Sequence, residues 1–236
     1  MRHSMRRTKI VCTIGPASES EATLRAMIRA GMDVARINFS HVEHGQYDRV
    51  RALVDRIRRL AAGEGRVVSV LQDLQGPRLR IGGLADGEVL LKAGDQITLT
   101  TRDVPGNAST VHVEYRSLPT DVHPGDAILI SDGEIELRVE STTATDVVCS
   151  VTDGGILKPH KGINLPGVTI SSPTITDKDR RDVGFGVEIG VDFVALSFVR
   201  QSSDVVALKE ILGKLGVSTP VIGKIEKHEA VTNFEA

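Results

Sequence analysis

The segment DVARINFSH, residues 33–41, places polar side chains on one face of a predicted strand. With the two-residue period of a strand, Ala35, Ile37 and Phe39 fall on one face, while Val34, Arg36, Asn38 and Ser40 fall on the other. A polar face inside a protein is stable where it lines a cavity, such as the mouth of a parallel barrel. The segment by itself is equally compatible with an amphipathic edge strand that has no special function.

The apolar segment PVIGKIE near the end of the sequence repeats this inversion of polarity. Lys224 and Glu226 share one face of the predicted strand, and Asp73 ends another predicted strand earlier in the chain. Barrel enzymes hold their catalytic groups at the carboxyl ends of strands, so polar residues at several strand ends favour a functional site. A local ion pair between Lys224 and Glu226 is the alternative.

These side chains have the chemistry that phosphoryl transfer requires. Arg36 offers a planar, bidentate grip on a phosphate or carboxylate, and Lys224 is a point charge that meets negative charge on a transferring group. Glu226 is an oxygen ligand suited to Mg²⁺, which typically takes one or two protein carboxylates and keeps several waters. The sequence contains neither a GxxxxGK[ST] phosphate loop nor a kinase glycine-rich loop, so an ordinary nucleotide-binding fold is not the source of the activity.

The remaining titratable or nucleophilic candidates have weaker signals. His41 adjoins Ser40 and is a candidate contact to substrate or nucleotide, although a lone histidine is more often structural. The other histidines show no metal-ligand spacing. Cys12 and Cys149 lie far apart and lack any nucleophile motif, and we interpret both as reduced thiols in the cytosol.

Alternating strands and helices position the first of these residues, within a predicted domain part over residues 1–75. The βαβαβ pattern predicts parallel strands joined by right-handed helical crossovers. The predicted elements are a strand at 9–15, a helix capped by Ser18 and Glu21 and ended by Gly31, the strand 33–40, a helix at 43–62 and a strand at 67–71.

Between residues 79 and 152 the sequence contains short strands and turns without a helical stripe. The predicted strands are 89–91, 96–100, 110–113, 127–131, 135–140 and 147–151, with Ser131-Asp132-Gly133 at a hairpin turn. Such spacing is typical of a small antiparallel barrel or sandwich. We therefore predict an inserted all-β domain over residues 76–173.

The α/β pattern returns after Pro173. Its predicted elements are a helix capped by Thr176 and Asp179, a strand at 192–200, a helix that begins at Ser203 and a strand at 220–226. Residues 174–236 therefore continue the first domain. The predicted fold class is α/β, with five parallel strands interrupted after the third by the inserted all-β domain.

The composition excludes several classes of partner. The 29 basic and 31 acidic residues give a formal net charge of -2, which offers no bulk attraction to nucleic acid or an anionic membrane. The aromatic content of 3%, with no tryptophan, argues against base-stacking surfaces. The apolar run after the basic start MRHSMRRTK is too short for a signal sequence or a membrane span. We expect a soluble cytoplasmic protein without a nucleic-acid or membrane partner.

Six separated motifs resemble pyruvate kinase in order and spacing, from about Thr8 to the last residue. They are TKIVCTIGPAS, GMDVARINFSH, LQDLQGPRLRIG, KGINLPGV, GVDFVALSFVR and PVIGKIE. The resemblance implies a TIM (β/α)8 barrel, here only its first five strands, interrupted by a small β-barrel domain that closes as a lid. It also implies transfer of the phosphoryl group of phosphoenolpyruvate to ADP, giving pyruvate and ATP in glycolysis. The inserted domain and KGINLPGV disfavour a different phosphoenolpyruvate-utilising barrel enzyme.

The resemblance further implies a role for individual residues. Arg36 would hold the phosphate of the substrate, Lys224 would stabilise the phosphoryl group in flight, and Glu226 would ligate Mg²⁺ or Mn²⁺. The residues implied to contact the nucleotide are Asn38, His41, Arg80 and Lys161. The residues implied to form a monovalent-cation site are Asn38, Ser40, Asp73 and, through its backbone carbonyl, Leu74.

The segment DLQGPRLR departs from the K⁺-dependent pattern of the family, which looks like DTKGPEIR. Leu74 replaces a threonine, and Arg78 replaces a glutamate. We hypothesise that the guanidinium of Arg78 supplies the positive charge otherwise brought by K⁺, so that activity does not require a monovalent cation. A solvated surface arginine is the alternative.

The sequence ends just after its fifth predicted parallel strand. A TIM barrel typically needs about 250 residues without insertions, so we expect strands six to eight to lie outside this sequence. The resemblance implies that the family's second metal carboxylate and its allosteric domain lie outside it as well. We expect these 236 residues alone to be inactive, and the full-length family member to be a homotetramer. A non-catalytic binding or interaction module derived from a pyruvate kinase is the alternative.

Overall fold

The computed structural model describes residues 7–42, 44–77 and 79–235. The strands in these ranges are β1 (Val11–Ile14), β2 (Val34–Asn38), β3 (Ser69–Asp73), β4 (Val89–Leu91), β5 (Gln96–Thr100), β6 (Thr110–His112), β7 (Ala127–Ile130), β8 (Ile135–Thr142), β9 (Asp146–Asp153), β10 (Gly155–Leu157), β11 (Ile163–Asn164), β12 (Phe193–Leu196) and β13 (Val221–Gly223). The α-helices are α1 (Glu21–Ala30), α2 (Tyr47–Gly63), α3 (Leu118–Asp121), α4 (Asp177–Glu188), α5 (Ser202–Lys214) and α6 (His228–Thr232). Short 3-10 turns occupy Phe39–His41, His44–Gln46 and Ser131–Gly133. None of the helices in the described ranges has both the length and the apolar character that a membrane crossing requires.

The chain divides into two compact units, of which the first comprises Met1–Pro77 with Thr174–Ala236 and the second Arg78–Pro173. The first unit contains a five-stranded sheet in the order β1-β2-β3-β12-β13. All four neighbouring pairs are parallel. Each strand adds to the same edge as its predecessor, which is the winding of a (β/α) barrel, whereas a doubly wound sheet reverses direction. The prediction of a parallel α/β set is confirmed.

Helices α1 and α2 of the first unit each bury one apolar stripe in the core that covers this sheet. In α1 the stripe consists of Leu24 and Ile28, and in α2 it includes Val50, Val54 and Ile57. The predicted alternation in β2 is confirmed, since Ala35 and Ile37 are buried and the three residues of the other face, Val34, Arg36 and Asn38, are half-buried. The helices therefore cover the outer face of the sheet and leave the polar face to the barrel interior.

The start of α1 differs from the prediction, which made Ser18 its cap. Ser20 is the N-cap, and its hydroxyl accepts from the Thr23 backbone N–H at 3.2 Å. Ser18 instead closes the preceding turn, because its hydroxyl accepts from Gly15 N at 3.0 Å. The predicted end is right: Gly31 has φ 108, a left-handed conformation that favours glycine, and its N–H reaches two carbonyls of the last turn.

Several element boundaries also differ from the prediction. The third strand begins at Ser69 rather than at Val67, whose side chain is 89% exposed, and it continues to Asp73. The fifth parallel strand ends at Gly223, so Lys224 and Glu226 lie just beyond the strand. Helix α2 begins at Tyr47, whereas the predicted start at Glu43 lies outside the described residues. These shifts of two to four residues leave the polar groups at the strand ends.

The second unit contains a six-stranded sheet in the order β11-β7-β8-β9-β5-β6 and a two-stranded pair of β10 with β4. The structure adds three short elements that the sequence pattern did not reveal, namely α3, β10 and β11. Each has two to four residues, which is too short to show a period. The predicted turn at Ser131–Gly133 joins β7 to β8, which pair antiparallel.

Cys149 lies in β9 and is completely buried in the core of the second unit. Burial, with a smaller contribution from the charge of Glu140, raises the pKa of its thiol to about 12. We expect iodoacetamide to leave Cys149 unmodified in the folded protein at pH 9 and to alkylate it fully once urea unfolds the chain, because only the thiolate is nucleophilic. Mass spectrometry of a Cys12→Ser variant measures this directly. Alkylation at equal rates with and without urea contradicts the burial.

The raised pKa of the Cys149 thiol lowers the stability of the folded protein at high pH. Above pH 9 the thiol ionises in the unfolded chain but stays protonated in the folded chain until about pH 12. The contribution of Cys149 to stability is therefore complete below pH 9 and declines by about 1.4 kcal/mol per pH unit above it.

Candidate active site

The carboxylate of Asp73 lies at the centre of the parallel sheet, at the end of β3. In the strand register, Asn38 of β2 and Ala195 of β12 are its neighbours on either side. Its side chain is 2% exposed and contacts two cations, Arg36 and Lys224. The structure therefore brings together three residues that the sequence placed at separate strand ends.

Arg36 is held on two sides. Its Nε donates to Asp73 Oδ2 at 2.7 Å, and its Nη2 lies 2.5 Å from the same oxygen. Its Nη1 donates to the Thr13 hydroxyl at 2.6 Å. The side chain remains 31% exposed. Because a guanidinium has five N–H groups, these contacts fix its plane and leave donors for a ligand.

Lys224 lies directly after β13, where its backbone N–H donates to Leu196 O at 3.0 Å. Its ammonium is 3.0 Å from Asp73 Oδ1 and 3.4 Å from Glu226 Oε1. The other oxygen of Glu226 accepts from the backbone N–H of Phe198 at 3.0 Å. Two cations and two carboxylates thus form one balanced cluster, in which both ammonium and guanidinium are oriented before any ligand binds.

The loop that includes Phe198 packs closely on the segment after β3. Phe198 has φ 56, a left-handed conformation that is uncommon for a bulky residue. A Cβ at Gly76 would lie 2.8 Å from the Phe198 ring, so the backbone approach requires glycine there. The buried carboxylate of Asp179 accepts from Gly76 N at 3.1 Å and fixes this approach from α4.

A cleft of about 510 Å³ lies beside the end of β2 in the first unit. Its lining includes Thr13, Pro16, Asn38, His41, Gln46 and Arg49. Asn38 caps the 3-10 turn that follows, since its Oδ1 accepts from Ser40 N at 3.0 Å. The structure therefore places Asn38 and His41 at the same cleft.

The carbonyl of Leu74, implied to be a cation ligand, has a donor within the chain. The hydroxyl of Ser197 donates to it at 2.6 Å, and both residues are buried. Arg78 lies outside the described residues. Among the residues that are described, no group of three or more histidine, cysteine or acidic side chains could hold a metal ion.

Arg80 and Lys161 belong to the second unit. Arg80 forms an isolated antiparallel bridge with Gly162, and Ile81 N donates to Lys161 O at 3.0 Å. The two residues thus lie on adjacent segments of that unit.

Thr13 and Ser197 are contacts of this site that sequence reasoning missed. Each follows an apolar residue near the end of a predicted strand, so the sequence could have marked both as candidates for the site. A hydroxyl at such a place is common, and only the distances to Arg36 and Leu74 distinguish these two.

A parallel sheet wound in one direction, with a charged cluster where its strands end, defines a protein of the α/β-barrel class. The family model described as the pyruvate kinase barrel domain matches residues 5–236. The chain belongs to the pyruvate kinase family, a family of phosphotransferases.

Individual relatives agree with this assignment. A pyruvate kinase of Mycobacterium tuberculosis is 43% identical over 231 residues, which are 98% of this chain and 48% of the relative. A pyruvate kinase of Corynebacterium glutamicum is 44% identical over 230 residues, with the same two shares. The crystal structure of a pyruvate kinase from Cryptosporidium parvum matches with a TM-score of 0.87 and 35% identity, over 98% of this chain and 48% of that one. The chain spans about half the length of the curated relatives it matches.

Proposed function

We propose that the protein to which these residues belong transfers the phosphoryl group of phosphoenolpyruvate to ADP and forms pyruvate and ATP. One observation supports this above others: the buried carboxylate of Asp73 orients both Arg36 and Lys224 at the barrel end. Phosphoryl transfer depends chiefly on positioning and on stabilising charge, and a preoriented pair of cations supplies both.

In this proposal Arg36 binds the phosphate of the substrate. Its contacts with Asp73 and Thr13 fix the plane of the guanidinium, so little conformational freedom is lost on binding. Lys224 then meets the charge that develops on the phosphoryl group between donor and acceptor oxygens. Its ammonium does not need to move far, because Asp73 and Glu226 already hold it from two sides.

Glu226 is the proposed protein ligand of Mg²⁺ or Mn²⁺. Its carboxylate is 38% exposed, and one backbone N–H fixes one of its oxygens. One carboxylate of this kind fits an ion that keeps waters and binds substrate oxygens. When bound, the ion would neutralise negative charge on the phosphate oxygens.

The cleft beside β2 supports a nucleotide position for Asn38 and His41, which both line it. Arg80 and Lys161 are proposed as further contacts to the nucleotide, on the strength of the family resemblance. We also propose a cytoplasmic protein, which agrees with two free cysteines. That the complete protein is a homotetramer rests on the resemblance alone.

A coupled assay for pyruvate tests the proposed function in two chains. One is the 236-residue chain, and the other, called the extended chain here, continues it with the part of the M. tuberculosis relative that lies beyond the matched region. We expect no turnover from the first, because its described residues contain no group of three or more side chains that could hold a metal ion, and turnover from the second. Inactivity of both favours the alternative, a non-catalytic binding or interaction module.

We propose in addition that activity does not require K⁺. Arg78 carries a permanent positive charge, and the carbonyl of Leu74 already accepts from the Ser197 hydroxyl; both facts support this. The extended chain should therefore show equal activity in buffers that contain KCl or a tetraalkylammonium salt. A Leu74→Thr, Arg78→Glu double variant is expected to become K⁺-activated. Strong activation of the unaltered extended chain by K⁺ would contradict this proposal.

A further inference from the structure

Lys178 of α4 reaches the turn that follows β2. Its ammonium donates to the backbone carbonyl of Phe39 at 2.9 Å, across 139 positions of the sequence. The same carbonyl accepts from Val42 N at 3.1 Å, which closes the 3-10 turn Phe39–His41. Both lone pairs of this oxygen are therefore engaged, one by the turn itself and one by a distant helix.

Lys178 is in turn held by a buried carboxylate. Its ammonium contacts Asp182 Oδ2 at 2.6 Å, one helical turn further along α4. Asp182 is 1% exposed, and its other oxygen accepts from the Tyr47 hydroxyl at 2.7 Å. The Asp182 backbone carbonyl also accepts from Gln72 Nε2 at 2.7 Å, which ties the helix to β3. The ammonium is thus fixed in place rather than free to follow the turn.

Burial raises the pKa of the Asp182 carboxyl above its usual value, with a further contribution from the charge of Asp179, although the hydrogen bonds from Lys178 and Tyr47 and the charge of Lys178 act in the opposite direction. Lys178 and Tyr47 thus favour the ionised form of a carboxyl that burial disfavours. Removing the ammonium therefore changes the cluster as well as the Phe39 contact.

Tyr47 begins α2, the helix that follows the turn. Its ring stacks on Phe185 of α4, with centroids 4.2 Å apart and planes within 5°. The connection from β2 to α2 is thus fastened to α4 at both ends, by Lys178 at Phe39 and by Asp182 at Tyr47. Between these two points lies His41, and just before them lies Asn38, the two proposed nucleotide contacts that line the cleft.

We propose that Lys178 is a positioning residue for the nucleotide side of the site. It holds the Phe39 carbonyl, and so the turn, in the orientation that presents Asn38 and His41 to the cleft. The role of the turn in nucleotide binding rests on the proposed function, whereas the effect of Lys178 on the turn does not.

The first measurement uses the ligand-free 236-residue chain, labelled with ¹⁵N. In Lys178→Met we expect the amide signals of Ser40, His41 and Val42 to shift and to show millisecond exchange, because the Phe39 carbonyl loses its second donor. Tyr47→Phe, which keeps the stacked ring, should shift the same signals less. Arg180→Met, which removes an exposed cation from the same helix, should leave them unchanged. Unaltered signals in Lys178→Met contradict the inference.

The second measurement places the same substitutions in the extended chain and titrates each variant with ADP and, separately, with phosphoenolpyruvate. We expect Lys178→Met to weaken ADP binding about tenfold, the effect of one charge-assisted hydrogen bond, with phosphoenolpyruvate affinity unchanged. Lys178→Arg, which retains a donor, should restore part of the ADP affinity. A general loss of structure would weaken the binding of both ligands alike. Weaker binding of ADP with unchanged binding of phosphoenolpyruvate therefore distinguishes a positioning role from misfolding.

The outcomes separate the two proposals. If the unaltered extended chain binds neither ligand, the proposed function fails, and the nucleotide role of Lys178 fails with it, while the ligand-free spectra still report on the turn. If the unaltered extended chain binds both ligands and its Lys178→Met variant binds ADP equally well, the proposed function stands and the inference on Lys178 is wrong.

Discussion

Replacing Lys224 with methionine in the extended chain is expected to lower kcat about 10²–10³-fold, the usual effect of removing one preorganised electrostatic contact. Methionine retains most of the side-chain volume and removes the charge. Asp73 keeps its contacts with Arg36, so the barrel end stays folded. The KM for phosphoenolpyruvate should change much less, because Arg36 still binds the phosphate. The coupled pyruvate assay under saturating substrates measures the loss.

Lys209→Met is the matched control for this variant. Lys209 is an exposed lysine of α5, away from the charged cluster, and its replacement should leave kcat unaltered. Thermal unfolding of Lys209→Met should coincide with that of the parent. Lys224→Met should unfold in one cooperative transition at a lower temperature, because the buried Asp73 loses one of its two cations. A kcat for Lys224→Met within a few-fold of the parent would falsify the assignment of Lys224 to the transferring group.

Two glycines of α4, two positions apart, are expected to respond to alanine in opposite directions. At Gly184 an added Cβ meets nothing within 4 Å, so Gly184→Ala should stabilise the chain by about 0.5–1 kcal/mol through helix propensity. At Gly186 the Cβ would lie 2.1 Å from Gln72 Oε1. Gln72 is fully buried and donates to the Asp182 carbonyl, so it cannot move aside without losing that bond.

We therefore expect Gly186→Ala to lower the free energy of unfolding by up to about 2 kcal/mol. Overpacking typically costs about 1–3 kcal/mol, and the gain in helix propensity offsets about 1 kcal/mol of it. Urea unfolding of the 236-residue chain, followed by circular dichroism, measures both variants.

A double variant tests whether Gln72 is the side chain that clashes with a Cβ added at Gly186. In a Gln72→Ala background the space beside Gly186 is vacant, so Gly186→Ala should become stabilising, as at Gly184. The free energies of the two single changes must then fail to add. Strict additivity, or destabilisation by Gly184→Ala, would contradict this account of the packing between β3 and α4.

Sequence reasoning located the charged residues of the site because strand alternation and strand ends are local properties. Arg36 and Asn38 follow from the two-residue period of β2, and Lys224 and Glu226 follow from the short apolar run before them. The error at α1 has a local cause too. Both Ser18 and Ser20 can cap a helix, and the turn at Gly15 takes the first of them. Sequence spacing alone does not distinguish the two serines.

The amino-acid sequence by itself determined the order of the elements, the inverted polarity of β2 and the membership of the family. Only the tertiary structure decided which groups meet. Asp73 is the shared partner of Arg36 and Lys224 because the strand register places β2, β3, β12 and β13 side by side. Ser197 reaches the Leu74 carbonyl, and Lys178 reaches Phe39, from segments more than 120 residues away along the chain. Such contacts depend on the register of the strands and on the rotation of each helix about its axis. Packing between distant segments sets both, so neither produces a periodic pattern in the sequence.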